Sequence, residues 1–230
     1  MKGPFLSQYK AVIFDMDGVL IDSEPLWKIA MMDVFTALGT SLEKKDFERT
    51  VGLRIDQVVD FWNRDQNWGV TDIYKVVDDI IDRMVDLIRQ NPQPLPGVID
   101  TLEFLEKQPI KMGLATSSPV RLIDAVLNHL NIRTFFDAIH SAEFEPYGKP
   151  HPAVYLSTAK TLALSPEHCL VIEDSLNALS FFSFSVYSTF AFSMKISGSM
   201  PLPFIDLPFG VKYLAVVNFT AALLLICVKV

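Results

Sequence analysis

Cysteine is scarce in this chain, and its scarcity argues against a fold held together by disulfide bonds. Among 230 residues there are two cysteines, Cys169 and Cys227, which stand far apart in apolar segments. Small secreted domains that depend on disulfides carry several cysteines at close spacings. We therefore expect two reduced, buried thiols that neither form a bridge nor bind a metal, and a cytoplasmic protein.

A cluster of basic residues is also missing. The 20 lysines and arginines are outnumbered by 27 aspartates and glutamates, and the formal net charge is −7. A protein that binds nucleic acid through its phosphates needs clustered lysine and arginine. Nucleic acid is therefore not an expected partner.

Neither an export signal nor a membrane span is expected. Residues 1–10 contain no continuous apolar core and no cleavage site of small residues. The apolar run over 213–228 is flanked by lysines, but it is shorter than the roughly 20 residues that a membrane-spanning helix needs. We expect no membrane partner, and a membrane-associated remnant stays as an alternative.

Apolar residues make up 50% of the chain, which is enough for a sizeable core and a small additional domain. Residues 22–90 are predicted to be nearly all helix, because apolar residues recur there every three or four positions. The recurring residues are Ile73, Val76, Val77, Ile80, Ile81, Met84, Leu87 and Ile88, and Pro92, Pro94, Pro96 and Gly97 follow the segment. We predict a core domain over 1–21 and 93–177 and a helical cap over 22–92.

Strands and helices are predicted to alternate in the rest of the core domain. Helices are expected over 98–106, 120–130 and 153–162, and strands over 11–14, 111–116, 137–140 and 169–172. Such alternation predicts an α/β fold with a doubly wound, parallel, Rossmann-like sheet. Ligands of these sheets bind beyond the carboxyl ends of the strands.

The first polar cluster follows the apolar run A-V-I-F and consists of Asp15 and Asp17, with Gly18 after them. Two carboxylates at this place suit phosphoryl transfer. One can attack phosphorus and form an aspartyl-phosphate, and the other can give and take a proton. A Mg²⁺ ion can offset the repulsion between the anions. A plain turn is the alternative interpretation of this spacing.

Hydroxyl and ammonium groups form the next two clusters. Thr116, Ser117 and Ser118 follow a predicted strand and precede a helix, so they can bind phosphate oxygens or cap that helix. Lys149 stands in G-K-P-H-P, where the glycine and prolines hold it in place. Its ammonium could stabilise the charge on a transferring phosphoryl group, and a surface lysine is the alternative.

The fourth cluster is acidic and consists of Glu173 and Asp174 at the end of a predicted strand. Mg²⁺ prefers hard oxygen ligands, so one or two carboxylates added to the first cluster would complete a site. An acidic cap of a following helix is the alternative. Each of the four clusters comes directly after a predicted strand or in a constrained loop. We therefore favour the interpretation that all four belong to one active site at the carboxyl edge of the sheet.

The motifs of these clusters resemble those of the haloacid dehalogenase-like hydrolases. The string D-M-D-G-V-L-I-D-S-E carries the resemblance, with G-K-P-H-P and V-I-E-D-S in the same order as in that family. Over about 11–177 the chain looks like the β-phosphoglucomutase-like subgroup, on the strings I-D-S-E-P-L-W, V-G-L-R-I-D-Q-V-V-D, S-A-E-F-E-P-Y-G-K-P-H-P-A-V-Y-L and E-D-S-L-N. The resemblance implies a sugar-phosphate phosphatase, with a phosphate-retaining sugar phosphomutase as the alternative.

The resemblance also implies a role for each site residue. Asp15 would be the nucleophile and Asp17 the acid and base. Phosphate would be held by Asp15, Met16, Asp17, Thr116, Ser117 and Lys149. Mg²⁺, Mn²⁺ or another divalent cation would be bound by Asp15, Asp17 through its backbone carbonyl, and Asp174, with Glu173 in support. Glu24, Trp27 and Arg54 of the cap would face the sugar, although Trp27 and Trp62 are more often core residues.

After Asn177 the resemblance ends. Residues 178–230 hold only four charged residues, Lys195, Asp206, Lys212 and Lys229, among serine, phenylalanine and apolar runs. An alanine-rich helix and a further strand, which the family has here, are replaced by this divergent apolar tail. We interpret the change as an altered reading frame near the codon for Ala178. A segment such as 211–217 could still rebuild part of the sheet.

Overall fold

A sheet of six strands orders the described part of the fold. The computed structural model describes residues 9–40, 42–43, 45–50, 53–90, 93–149, 151–174, 213–219 and 222–227. Its strands are β1 (Ala11–Phe14), β2 (Lys111–Thr116), β3 (Ala138–Ser141), β4 (Cys169–Glu173), β5 (Tyr213–Phe219) and β6 (Ala222–Cys227). They lie in the order β3-β2-β1-β4-β6-β5. All neighbours are parallel except β5 and β6, which are antiparallel.

The central strand β1 is buried on both faces, as its uninterrupted apolar sequence predicts. Val12 and Phe14 point into the larger apolar cluster, whereas Ala11 and Ile13 point into a second cluster on the other face. Successive side chains of a strand alternate between faces, so β1 joins two hydrophobic layers. The predicted α/β fold with a parallel sheet is confirmed.

In the part of the chain that the structure describes, six α-helices accompany the sheet: α1 (Glu24–Ala37), α2 (Ile55–Gln66), α3 (Ile73–Arg89), α4 (Val98–Glu106), α5 (Val120–His129) and α6 (Ala153–Thr161). The first three lie consecutively between β1 and α4, where nearly continuous helix is predicted. Asp72 caps α3 by accepting from the backbone N–H groups of Tyr74 and Lys75. Five of the eight residues in the predicted apolar pattern are buried in α3, namely Val76, Ile80, Ile81, Met84 and Ile88. The other three, Ile73, Val77 and Leu87, are half-buried, and Val85 is buried although the pattern left it out.

Short 3-10 helices complete the described connections, at Asp46–Thr50, Arg133–Phe135, Ala142–Phe144 and Pro166–His168. The one at Ala142–Phe144 follows β3 directly and begins the segment that leads to Lys149. The segment therefore leaves the sheet at the carboxyl end of a parallel strand.

The described part of the tail extends the sheet. In β6, backbone pairing with β4 runs from Leu170 opposite Leu223 to Glu173 opposite Ile226. The described part of the strand expected over 211–217 lies in β5, Tyr213–Phe219. Within the apolar run over 213–228, the described residues form the strands Tyr213–Phe219 and Ala222–Cys227. Among the described residues, no helix is long and apolar enough to cross a membrane. The segment 178–212 lies outside the described residues, and the domain boundaries and the altered reading frame stay predictions.

Candidate active site

The predicted site residues meet at the carboxyl edge of the sheet. Strand β1 lies between β2 and β4, and Phe14 pairs with Leu114 on one side and Ile172 on the other. The chain leaves β1 at Asp15 and β4 at Glu173, so both carboxyl groups lie at the same edge. The topology thus brings together residues that are more than a hundred positions apart.

Lys149 lies between two carboxylates. Its Nζ is 2.9 Å from Oδ1 of Asp15 and 2.7 Å from Oε2 of Glu173. All three side chains are buried. Burial alone would lower the pKa of Lys149, but the charges and hydrogen bonds of Asp15 and Glu173 outweigh it and raise the pKa above its ordinary value. The lysine therefore carries a fixed positive charge next to Asp15.

Tyr155 is a further member of this buried group. Its hydroxyl donates a hydrogen bond to Oε2 of Glu173, and Nζ of Lys149 lies 5.0 Å from its ring centroid. The sequence interpretation missed this residue, because a tyrosine on the apolar side of a helix is most often a core residue. Its position four residues after His151, within the string that carries the lysine, is the only signal.

Three carboxylates form a candidate cation site. Oxygen atoms of Asp15, Glu173 and Asp174 lie within 4.8 Å of one another. Burial and the charge of Glu173 raise the pKa of Asp15 well above its ordinary value, against the opposing effect of Lys149. One ammonium does not balance three carboxylates, so the donor set and its excess negative charge fit a divalent cation with oxygen ligands. The predicted role of the Asp17 backbone carbonyl stays a prediction.

Cation binding at this site is expected to weaken as the pH falls through about 7. Burial, and then the charge of Glu173, raise the pKa of Asp174 to about 7, while Lys149 opposes this shift. Asp17 adds to the rise, and a carboxyl must lose its proton to bind a metal. Calorimetric titration with Mg²⁺ should show affinity falling by up to about tenfold per pH unit below this value. Equal affinity on both sides of it would contradict the assignment.

The same shift has a consequence for stability in metal-free buffer. The folded protein holds the Asp174 proton up to about pH 7, whereas the ordinary pKa is 3.8. Between these values the unfolded chain binds fewer protons, so this group lowers the free energy of unfolding as the pH rises.

Gly18 leaves room for Asp174. Its φ is +71°, and a Cβ atom built there would lie 1.8 Å from Oδ2 of Asp174. We expect Gly18→Ala to displace that carboxylate and to weaken Mg²⁺ binding by roughly 10- to 100-fold. The matched control is Gly39→Ala, because Gly39 has a φ of +79° with nothing within 4 Å of its Cβ position. Similar Mg²⁺ affinity in the two variants would contradict this explanation.

The carboxylate of Asp17 is held by donors from the cap side and from β2. Ser118 Oγ donates to Oδ2 at 2.6 Å, and Trp27 Nε1 donates to Oδ1 at 3.1 Å. Ser23 Oγ also donates to Oδ1, and Thr116 Oγ1 lies 3.5 Å from Oδ2. Sequence reasoning missed Ser23 and the role of Ser118. These donors orient Asp17, and none of them belongs to the group formed by Lys149, Asp15, Glu173 and Tyr155.

The hydroxyl cluster does not cap α5. That helix begins at Val120 with Pro119 before it and no side-chain cap. Thr116 Oγ1 instead accepts from the backbone N–H of Ser118 at 3.2 Å. The Oγ atom of Ser117 is buried and has no hydrogen-bond partner among the described residues. A buried polar atom needs a partner, so Ser117 is suited to donate to a bound anion.

The cap residues lie in different surroundings. Glu24 is exposed and pairs with Lys28 at 2.7 Å, one helical turn later. The guanidinium of Arg54 contacts Asp56 and the backbone of the core segment after β3. Trp62 is fully buried, as a core residue should be, whereas Trp27 reaches Asp17. Substrate contacts of Glu24 and Arg54 stay predictions.

Known proteins resemble this chain over its described core. Residues 9–183 match the haloacid dehalogenase-like hydrolase family. Hexitol phosphatase B of Escherichia coli is 43% identical over 173 residues, which cover 75% of this chain and 78% of that protein. A phosphorylated carbohydrates phosphatase of Thermotoga maritima is 33% identical over 169 residues, 72% of this chain and 76% of the relative.

A solved structure agrees with the fold. The β-phosphoglucomutase of Clostridium difficile superimposes with a TM-score of 0.67 at 27% identity, and the match covers 77% of this chain and 81% of the mutase. The family match spans most of the chain and includes the strand ends that carry the acidic residues and Lys149. The chain therefore belongs to the haloacid dehalogenase-like hydrolases.

Proposed function

We propose that this protein is a Mg²⁺-dependent phosphatase that hydrolyses small sugar phosphates through an aspartyl-phosphate. The observation that carries the proposal is the buried Asp15 carboxylate, 2.9 Å from the ammonium of Lys149 and within the acidic cluster. Phosphatases of hexitols and of phosphorylated carbohydrates among the relatives support the class of substrate. Hexose and hexitol phosphates, such as 2-deoxyglucose 6-phosphate, are the proposed substrates.

The reaction proceeds in two displacements. An Oδ atom of Asp15 attacks phosphorus in line, the bond from phosphorus to the sugar oxygen breaks, and Asp17 gives its proton to the departing oxygen. Water then attacks the aspartyl-phosphate while Asp17 takes a proton from it. The phosphorus–Asp15 bond breaks, so inorganic phosphate leaves and both aspartates return to their first state.

Charge stabilisation supplies most of the acceleration in this proposal. Hydrolysis of phosphate monoesters is among the slowest uncatalysed reactions, and enzymes accelerate it by up to about 10²¹-fold. Lys149 holds its positive charge next to the attacking carboxylate, and Ser117 and Thr116 offer hydroxyls to the phosphate oxygens. The backbone of Met16 and Asp17 is proposed to complete this phosphate site.

The proposed cation would be held by Asp15 and Asp174, by the backbone carbonyl of Asp17, and by Glu173 in support. When bound, Mg²⁺ would neutralise phosphate charge and the carboxylate cluster. Mn²⁺ or another divalent cation with oxygen ligands could replace it. The residues and their excess negative charge support this assignment.

A phosphate-release screen tests the proposal. Purified full-length chain is incubated with hexose and hexitol phosphates, with and without Mg²⁺, and free phosphate is measured. Release that needs Mg²⁺ supports the phosphatase. The likeness to a β-phosphoglucomutase favours a mutase as the second candidate, which would produce an isomeric sugar phosphate without free phosphate.

The compartment and the tail are separate proposals. We propose a cytoplasmic protein, supported by a buried Cys169 that is not in a disulfide.

We also propose an altered reading frame near Ala178, which sequencing the gene and translating the neighbouring frames would test. A family-like continuation in another frame supports this idea, and its absence from every frame would end it. A folded chain without Mg²⁺-dependent turnover would instead favour an inactive remnant.

A further inference from the structure

Arg54 connects the helical cap to the core segment that precedes Lys149. Its Nη1 donates to the carbonyl oxygens of Ala142 and Glu145 at 3.2 and 3.3 Å. Arg54 directly precedes α2, whereas both carbonyls belong to the segment that follows β3. These are hydrogen bonds between parts of the chain about ninety positions apart.

Asp56 holds the guanidinium in this orientation. Its Oδ1 and Oδ2 accept from Nε and Nη2 of Arg54 at 2.6 and 2.8 Å. This fork-to-fork pairing fixes the plane of the guanidinium. With the two carbonyl contacts, four hydrogen bonds engage a group that has five N–H donors. Little of the guanidinium is left for a sugar.

The beginning of α2 also lies close to Gly148, the residue before Lys149. A Cβ atom built at Gly148 would lie 3.4 Å from Cβ of Arg54 and 3.5 Å from Oε1 of Gln57. Gln57 Oε1 also accepts from the backbone N–H of Arg54 at 3.3 Å. The beginning of α2 therefore lies beside the backbone of Gly148, the residue before the lysine, at a distance that a Cβ atom would bridge.

The last residue of β3 and the segment after it also reach the other half of the site. Ser141 Oγ donates to the carbonyl oxygen of Ser118 at 2.6 Å, and Ser118 in turn holds Asp17. Glu143 Oε2 accepts from the backbone N–H of Val120 at 3.0 Å, at the beginning of α5. The chain from Ser141 to Gly148 thus contacts Arg54 on one side and the Ser118 region on the other, and it leads directly to Lys149.

We propose that Arg54, held by Asp56, is a positioning residue that docks the cap on the 142–148 segment and so fixes Lys149 against Asp15. This inference rests on the proposed phosphatase function. In this role Arg54 acts through the lysine segment and does not contact the substrate. Its loss therefore affects every phosphate ester alike.

Steady-state kinetics separate docking from substrate binding. Hexitol phosphate and p-nitrophenyl phosphate are compared in the parent chain, Arg54→Ala, Arg54→Lys and Asp56→Asn. We expect kcat to fall by a similar factor on both substrates, up to about 10²-fold for Arg54→Ala, because small displacements of catalytic groups are costly. Arg54→Lys should not restore it, since an ammonium cannot pair with Asp56 and reach both carbonyls. A higher KM for the sugar phosphate alone would overturn the proposal.

Arg64→Ala is the matched control. Arg64 lies on α2, is exposed, and pairs with Asp60 at 2.7 Å within the same helix. Its replacement should leave both kinetic constants unchanged. Thermal melting of every variant shows whether the fold is kept.

Hydrogen exchange gives a readout that does not need turnover. The backbone N–H of Glu143 donates to Ser141 Oγ at the end of β3, and that of Glu145 donates to the carbonyl oxygen of Ala142 in the docked segment. Their exchange should be faster in Arg54→Ala and Asp56→Asn than in the parent and in Arg64→Ala. Unchanged exchange would overturn docking, whereas a parent that releases no phosphate but shows this difference would refute only the proposed function.

Discussion

Replacing Asp15 by asparagine is expected to abolish phosphate release from sugar phosphates. The amide keeps the size of the side chain but cannot form an acyl-phosphate by attack on phosphorus. Loss of a nucleophile of this kind costs more than about 10³-fold in turnover. Phosphate release at saturating substrate and Mg²⁺ measures the effect.

The Asp15→Asn variant should nevertheless fold. Asp15 is buried and its pKa is raised by burial first and by Glu173 second, so a neutral amide removes a charge that the site disfavours. Lys149 keeps its contact of 2.7 Å with Glu173. Asp86→Asn, on the exposed side of α3, is the control for an ordinary loss of charge. Turnover comparable with that of the parent would refute Asp15 as nucleophile.

Replacing Lys149 by methionine is expected to reduce both turnover and stability. Methionine has a similar length but no charge, so Asp15 and Glu173 would face each other in a buried site. Removal of one partner from a buried ion pair costs about 3–5 kcal/mol of unfolding free energy. Loss of the charge that stabilises the phosphoryl group should lower kcat by about 10²- to 10³-fold.

The stability loss of Lys149→Met should depend on pH. Lys149 lowers the pKa of Asp15 in the parent, so its removal raises that pKa further. A carboxyl with a raised folded pKa destabilises the protein as the pH rises above its unfolded value. Urea unfolding in metal-free buffer should therefore show a larger deficit at neutral than at acidic pH.

Lys160→Met controls for the loss of a lysine elsewhere. Lys160 is exposed in the last turn of α6, so its replacement should change neither stability nor kcat appreciably. If Lys149→Met and Lys160→Met unfold at the same urea concentration, the assigned charge balance of the buried site is wrong.

Local sequence was sufficient to find much of the site because the fold is regular. Apolar runs followed by polar residues predicted strand ends, and parallel strands bring their carboxyl ends to one edge. Asp15 and Glu173 could therefore be grouped without coordinates, and the G-K-P-H-P string added Lys149. In the same way, apolar residues at helical spacing predicted the buried side of α3.

Contacts between distant segments could not be predicted in this way. Ser118 lies 101 positions from Asp17. A serine just before a predicted helix is expected to cap it, but α5 begins at Val120 without a side-chain cap. Tyr155 and Trp27 each have a polar group, but from the sequence alone they are most simply interpreted as ordinary core residues. Their roles depend on which side chain lies opposite them, and hydrophobic periodicity does not contain that information.

The amino-acid sequence by itself determined the order of strands and helices as far as β4, the acidic pair after β1, and the family to which the chain belongs. These properties depend on short-range patterns of polarity and on the geometry of the backbone. Only the tertiary structure decided that Arg54 pairs with Asp56 and reaches the segment before Lys149, and that the described tail strands pair beside β4. The physical reason is that hydrogen bonds form between whichever groups packing brings together, and packing is a property of the whole chain.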